Sequence, residues 1–419
     1  MTQRRLKIGI SIWCFKPETG GLQAYAEQLC WALQRRGHDV VVVTRAATRV
    51  PHGRDYLFFN ERAASLSVKN IPVRPLSFAR AWRPVLWLLG KLVARPRFQA
   101  IAVELYKVVS RKPARLAFRG VDLIHHIGEA PPLNGFAAAA AAKHWGIPFV
   151  VSPTCHPHHV GDSPLDLRLY RQANRLLAYT QYEAQYLREK LDGCVIDVVG
   201  IGIEDRSDGN AKQFRDRTGV HGPFILFIGR KDPQKGYPLL VDAFKIVRRQ
   251  RPEVGLVCMG PGSSATMAKN VEGIVELDFT SDKVKHDALA GCTCLCVPSE
   301  GESFGLVFME AGRYGKPVVG RNVPVLQELL GAGEGALLLG QLDRTRNEAA
   351  LKPKELAAAL LDLIADPQEC RRLGENCRLV SEEFLWRDTI KRYEKSYERT
   401  LDRFKHGERS NQPILERTT

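Results

Sequence analysis

Short, nearly continuous apolar runs alternate along the chain with longer stretches in which apolar residues recur every three or four positions. Two alternating periods of this kind predict strands laid parallel in a sheet and joined by covering helices. Leu6 to Trp13 reads as the first strand. After Gly20-Gly21 a helix opens, with Leu22, Tyr25, Ala26, Leu29, Cys30 and Leu33 on one stripe. Arg35-Arg36 suit its negative C-terminal end, and Gly37 terminates it. Val40–Thr44, Val121–His125, Pro148–Ser152 and Cys194–Gly200 read as further strands.

A second cycle starts at Pro223 with the strand FILFIG and a helix over Pro238–Arg248. Gly255–Met259, Cys292–Pro298 and Pro317–Gly320 follow as strands, and a helix is expected from about Ser303 through Tyr314. Leu356–Phe404 reads as helical, and Ile390, Tyr393, Tyr397, Leu401 and Phe404 mark a packed stripe near its end. A chain of 419 residues is too long for one core and suits two or three domains. The two α/β halves meet in Gly200–Gly222, rich in Gly, Asp and Arg, which reads as a linker. The expected division is a first domain over 1–200, a second over 201–385, a final helix over 386–406 and a disordered tail over 407–419.

The net charge of +15 calls for anionic partners: nucleotide phosphates, an acidic glycan or an anionic membrane surface. No helix-turn-helix, zinc-finger or aromatic RNA-binding signature accompanies the charge, so nucleic acid is not expected. Between Lys69 and Arg119 there are twelve Lys or Arg and one acidic residue, Glu104, interleaved with Trp82, Val85, Leu86, Trp87, Leu88 and Leu89. Two readings stay open for this segment: a surface that lies on anionic lipid, or an insertion whose apolar face covers the first domain. The first apolar run is short and lacks a cleavage site, and no run of 18 or more apolar residues occurs, so neither a signal peptide nor a membrane-spanning helix is expected. That implies a cytoplasmic protein, peripheral on the inner face of the membrane if the basic segment binds lipid. The ten cysteines are scattered, and Cys292, Cys294 and Cys296 alternate without the turn that structural zinc sites favour. They read as buried small hydrophobes of a reducing compartment.

From Cys296 the chain reads CVPSEGESFGLVFMEAGRYGKPVVG. A strand ends, a tight loop follows and a helix starts, which leaves free N–H groups that suit phosphate. Glu302 lies just before that helix and Glu310 eight residues on. Carboxylates there suit pairs of sugar hydroxyls, although Glu302 as a helix cap and Glu310 as a solvent-facing residue would read the same locally. After FILFIG comes Gly229-Arg230-Lys231-Asp232-Pro233-Gln234-Lys235-Gly236, whose cations at a strand's carboxyl end would neutralise a diphosphate.

These runs closely resemble the Glu-x7-Glu signature and the Gly-Arg…Lys-Gly loop of retaining family-four glycosyltransferases with the GT-B fold. Pro298-Ser299, Phe304-Gly305, Glu310-Ala311 and Gly315-Lys316-Pro317 fit the same pattern. The resemblance implies two facing Rossmann-like domains with parallel sheets and a C-terminal helix crossing back to the first. It implies that Glu302 contacts the donor sugar and Glu310 the ribose. Arg230 and Lys235 would hold the diphosphate, with the backbone of Phe304, Gly305 and Leu306. Gly20 and Gly21 match the family's Gly-Gly, placed against donor phosphates or acceptor. His156 in Thr154-Cys155-His156 matches its sugar-pocket histidine, with His158 and His159 crowding it. Those three histidines would otherwise suit a metal, but the family needs none, and no cofactor is expected beside the nucleotide sugar itself. His125-His126 is given a structural role.

Two places depart from the pattern. Gly200-Ile201-Gly202-Ile203-Glu204 lacks the family's asparagine and aspartate and is given a structural role. Leu277-Asp278-Phe279 stands where relatives often have a glycine; Met259-Gly260-Pro261-Gly262 matches the family's turn after the second domain's strand, which the resemblance places near the base. The activity implied is retaining transfer of a sugar from a nucleotide-diphosphate sugar to a hydroxyl of a glycan, a lipid-linked saccharide or a small metabolite. The acceptor attacks on the face that the diphosphate leaves. The alternatives are a non-catalytic nucleotide-sugar or polyanion binder and an epimerase on the same scaffold.

Overall fold

The computed structural model describes residues 4–15, 20–46, 66–131, 133–262, 265–268, 271–278, 281–331, 334–343 and 348–406. It divides into two units, one of Met1–Gly202 with Arg387–Thr419 and one of Ile203–Trp386. The tail over 407–419 lies outside the described residues.

The first unit carries strands β1 (Lys7–Cys14), β2 (Asp39–Ala46), β3 (Leu66–Val68), β4 (Ile71–Pro75), β5 (Leu123–Ile127), β6 (Phe149–Ser152), β7 (Arg175–Ala178) and β8 (Ile196–Val198). Their order is β3-β4-β2-β1-β5-β6-β7-β8, parallel except for the β3–β4 pair. The chain winds outward from β1 to one edge and returns to β5 at the other side of β1. The crevice beyond the carboxyl ends of β1 and β5 is therefore the switch point where such sheets hold ligands. Helices α1 (Gly21–Arg35), α2 (Arg83–Val93), α3 (Gln99–Ala117), α4 (Asn134–Trp145), α5 (Pro164–Tyr170) and α6 (Gln181–Lys190) belong to this unit.

The basic segment forms α2 and α3. One face of this pair is core: Leu86, Leu89, Val93, Ala102, Val103, Tyr106 and Val109 pack in one cluster with Val41, Val43 and Phe136. The covering role holds for that face, and the opposite face is exposed.

In the second unit β9 (Phe224–Ile228), β10 (Gly255–Met259), β11 (Ile274–Leu277), β12 (Cys294–Val297), β13 (Val318–Arg321) and β14 (Ala336–Leu339) form a wholly parallel sheet in the order β11-β10-β9-β12-β13-β14. The central strands β9, β10 and β12 are buried on both faces, which is why FILFI and CLCV read as unbroken apolar runs. Its switch point lies between β9 and β12. Around it lie α7 (Ala211–Thr218), α8 (Tyr237–Gln250), α9 (Ala265–Ala268), α10 (Asp282–Gly291), α11 (Leu306–Arg313), α12 (Pro324–Leu330), α13 (Pro353–Ala365) and α14 (Pro367–Glu382).

Two expectations about elements need correction. The supposed linker contains α7, capped by Asn210 on the Gln213 N–H and closed by Gly219. Phe214 of α7 stacks on Phe224 with ring centres 5.6 Å apart, so the stretch is part of the second unit's core. The helix of the Glu302 run starts at Leu306 rather than near Ser303, because Gly305 adopts a left-handed φ of 80° that closes a tight turn first.

The last helix, α15 (Trp386–Lys405), packs on the first unit through Ile390, Tyr393, Tyr397 and Leu401 of the stripe read from the sequence, whereas Phe404 at the end of that stripe is exposed. Tyr393 and Tyr25 share a hydrogen bond of 3.0 Å, Tyr393 also donates to the Gly200 carbonyl, and Tyr397 meets His125 Nδ1 at 2.8 Å. Glu394 receives Arg36 at 3.0 Å and His38 at 3.1 Å, and Arg175 donates to Thr400. Nearly all of these partners are buried, so the helix is fixed by specific polar pairs as well as by its apolar face.

Candidate functional site

At the second unit's switch point the loops leaving β9 and β12 meet. Lys235 Nζ lies 2.7 Å from Glu302 Oε1, with side-chain exposures of 21% and 7%. Backbone geometry makes the meeting close. Gly236 has a left-handed φ of 70°, and a Cβ there would stand 2.1 Å from the Pro298 carbonyl, so only glycine lets the basic loop lie on the exit of β12. The Glu300 N–H also donates to the Gln234 carbonyl at 2.9 Å.

Asp232 shapes the basic loop. It accepts the Lys235 N–H at 2.9 Å as the cap of a short turn over Pro233–Lys235, and its other oxygen pairs with Arg230 at 2.6 Å. Arg230 also donates to Gln234 and remains half-exposed at the mouth of the loop. Between these two cations, Lys231 points inward. It is buried, pairs with Glu276 at 2.5 Å and donates to the Leu277 carbonyl, and Tyr237 hydrogen-bonds to the same Glu276. Gly260 and Gly262 pack against the backbone of Gly229 and the Cβ of Lys231. The glycine turn after β10 thus serves as a seat for the basic loop.

Beyond Glu302, Phe304 is fully buried and holds the turn against Phe384, with ring centres 5.1 Å apart. Gly305 caps α11 with no side-chain hydrogen bond, and Leu306 begins it with no acidic residue in the first turn. The start of α11 therefore keeps free N–H groups for an anion. Glu310 is in the second turn, where its carboxylate meets Lys285 of α10 at 2.7 Å. Burial alone would push the Lys285 ammonium down, but Glu310, with Asp282 and Glu204, outweighs it and holds the group above the ordinary lysine value.

In the first unit the residues singled out sit at the carboxyl edge of the sheet. Gly20 and Gly21 open α1, which has no side-chain cap and no acid in its first turn. A Cβ on Gly21 would meet nothing within 4 Å, whereas one on Gly20 would crowd the tip of Gln23. Gly128, leaving β5, approaches Leu22 of the same first turn. Glu129 follows it. Burial, with Asp166 nearby, raises the Glu129 carboxyl to about 7, and no hydrogen bond or ion pair engages its side chain among the described residues.

The loop after β6 carries the histidines. Thr154 is buried with φ of 55°, a strained setting for a β-branched residue that marks a held loop. Glu183 holds it, accepting the Cys155 N–H at 2.8 Å and the Tyr179 N–H at 2.7 Å with its two oxygens. His156 and Val160 close a small turn through two backbone bonds, and His156 is partly exposed. His158 stacks edge-on against Tyr186, with ring centres 4.9 Å apart.

His125 and His126 lie inside β5. His125 joins Tyr397 and Ser152, His126 meets Ser11, and burial lowers the two to about 3 and about 4, so both are neutral. All ten cysteines are free, and Cys292, Cys294 and Cys296 are buried thiols whose burial pushes them up. Among the described residues no group of three or more His, Cys, Asp or Glu is placed to hold a metal.

Sequence reasoning singled out Arg230, Lys235 and Glu302, and the fold brings all three to one edge. It missed Lys285, Lys231 and Glu183. Thr180-x-x-Glu183 carries a local helix-cap signal, but the Glu310 partner of Lys285 and the Glu276 partner of Lys231 lie far along the chain.

Residues 20–193 match the family described as glycosyl transferase 4-like domain, and residues 210–380 match glycosyl transferases group 1. The D-inositol 3-phosphate glycosyltransferase of Frankia alni is 27% identical over 92% of this chain and 95% of its own. The phosphatidyl-myo-inositol mannosyltransferase of Propionibacterium freudenreichii is 33% identical over 41% of this chain and 42% of its own. Anabaena HepE, solved with UDP and glucose, superposes with a TM-score of 0.68 at 19% identity, over 94% of this chain and all of that one, and so shares the fold. With a glycosyl transferase 4-like domain over the first sheet unit and a glycosyl transferases group 1 domain over the second, the chain belongs to the family-four glycosyltransferases of the GT-B fold.

Proposed function

We propose that the second unit binds the nucleotide-sugar donor through the paired loops after β9 and β12. The observation that carries this reading is the Lys235–Glu302 contact at the switch point, with Arg230 beside it and the start of α11 behind it. Arg230 and Lys235 neutralise the diphosphate, and the N–H groups of Phe304, Gly305 and Leu306 hold it. Glu302 accepts hydroxyls of the donor sugar and Glu310 those of the ribose. In the first unit, the open start of α1 at Gly20-Gly21 suits an anionic group, and His156 suits a sugar hydroxyl. As the anomeric C–O bond breaks, its electron pair leaves on the diphosphate. The acceptor oxygen bonds on the same face and its proton passes to a phosphate oxygen. Such a reaction needs charge stabilisation more than a general base.

Relatives named for inositol phosphate and phosphatidylinositol make an inositol-type polyol the first acceptor class to test. The experiment is a panel of UDP- and GDP-sugars, each with D-inositol 3-phosphate, phosphatidylinositol and free sugars, read by released nucleoside diphosphate and by product anomer. Retained anomeric configuration supports the reading. Donor binding without release under any pairing would favour a nucleotide-sugar binder instead.

A specific observation also favours an anionic membrane surface as partner. Of the eleven exposed large hydrophobics among the described residues, seven lie between Trp82 and Leu116: Trp82, Trp87, Leu88, Ile101, Leu105, Val108 and Leu116. On α3 they form a stripe opposite the core-facing Val103 and Tyr106, with Lys112 in line with it and Arg111 and Glu104 at its border. Exposed apolar side chains interspersed with cations suit lipid headgroups at an interface. No helix among the described residues is long and apolar enough to cross a membrane. Deleting the segment would remove core residues, so Trp87→Ser with Ile101→Gln and Val108→Gln is the right probe. Loss of flotation with phosphatidylglycerol vesicles is expected, and unchanged flotation would rule this face out.

A further inference from the structure

We infer that Lys285 is a positioning residue that holds Glu310 for the ribose of the donor. This rests on the ribose role proposed above for Glu310. The geometry is specific. Lys285 Nζ meets Oε1 of Glu310 at 2.7 Å, and both side chains are at least four-fifths buried. The other oxygen, Oε2, has no hydrogen bond among the described residues. A carboxylate has about four acceptor positions. One cation on Oε1 therefore fixes the rotamer and leaves Oε2, with a lone pair of Oε1, to receive vicinal hydroxyls.

The pair joins α10 to the second turn of α11, so the carboxylate is held by an element other than its own. Asp282 Oδ1 lies 3.9 Å from the same ammonium. Without Lys285, Glu310 would be a mostly buried carboxylate with no counter-charge, free to rotate toward water, and a ribose would have to immobilise it on binding.

The test compares ligands with and without ribose. Calorimetric titration with UDP, with GDP and with inorganic pyrophosphate is made on the full-length wild type, Lys285→Met, Lys285→Arg, Glu310→Gln and the double variant Lys285→Met/Glu310→Gln. Lys285→Met should weaken whichever nucleoside diphosphate the wild type binds by roughly 5- to 30-fold, the range of one lost hydrogen bond. Pyrophosphate affinity should stay within about two-fold. Lys285→Arg should restore most of the loss, and Lys285→Met should add little on the Glu310→Gln background.

Equal weakening of pyrophosphate, or full additivity in the double variant, would overturn the inference by exposing general damage to the unit. If Glu310→Gln weakens the nucleotide and Lys285→Met does not, the role of Lys285 falls while the ribose reading of Glu310 survives. If neither variant changes nucleotide binding, both fall together.

Discussion

Lys235 and Glu302, 67 residues apart, meet at 2.7 Å across the switch point of the second sheet and couple the basic loop after β9 to the acidic loop after β12. The lysine lowers the cost of burying the carboxylate, and the carboxylate orients the lysine before any donor arrives. A diphosphate entering here exchanges one counter-ion for another instead of assembling its site anew.

Glu302→Gln keeps the volume and removes the charge. Turnover should fall by about 100-fold or more, the scale of a lost transition-state contact. The far-ultraviolet circular dichroism spectrum should be unchanged. Turnover within a factor of three of wild type would remove Glu302 from the sugar-binding role.

Arg230 is half-exposed, and its ion pair with Asp232 is a surface contact. Arg230→Ala should therefore shift the melting temperature little, by less than about 0.5 kcal/mol in stability. Its effect should fall on the donor: a rise in donor KM of about 10-fold or more, since a charge-assisted contact to phosphate is worth about 1.5–3 kcal/mol. A large drop in melting temperature with unchanged KM would reverse this assignment.

Glu129 links stability to pH. Its carboxyl, near 7 in the folded protein and near the usual 4.5 when unfolded, binds its proton more tightly in the folded state. The ionised form is thus penalised above pH 7, and the penalty disappears as pH falls through 4.5. Glu129→Gln should raise stability at pH 8, on the order of 2–3 kcal/mol, and give no gain at pH 4.5. Buried neutral His125 and His126 act oppositely, costing stability as pH falls below the unfolded histidine value of about 6.5. Melting curves of variant and wild type across pH 4.5–8 isolate the Glu129 contribution. A gain independent of pH would contradict it.

Tyr397→Phe deletes the hydroxyl that meets His125 Nδ1 and leaves a buried ring nitrogen without its partner. The expected loss is about 1–3 kcal/mol, read by urea unfolding, and Tyr393→Phe should act similarly through Gly200 and Tyr25. Unchanged midpoints in both variants would show that these two hydroxyls contribute nothing to holding α15.

Features that depend on neighbours along the chain were legible in residue order. The parallel α/β class followed from two periodicities, because unbroken apolar runs such as FILFI suit strands buried on both faces. The α15 stripe followed from helical spacing, and the donor loops from glycines and charges at fixed offsets. The start of α11 was misjudged by three residues because Gly305 could not be told from a helical glycine until its φ was known.

Which distant charges meet depends on strand order and helix packing instead. Lys235 reaches Glu302 because β9 and β12 are neighbours in the sheet, although β10 and β11 lie between them in sequence. Lys285 finds Glu310 from a different helix, and Glu183 reaches 28 residues back to the Cys155 N–H. The basic segment likewise shows its two faces only when folded, one spent in the core and one exposed. Periodicity fixes which face of an element is apolar. It carries no information on which element that face will meet, since strand order is set by packing over the whole sheet.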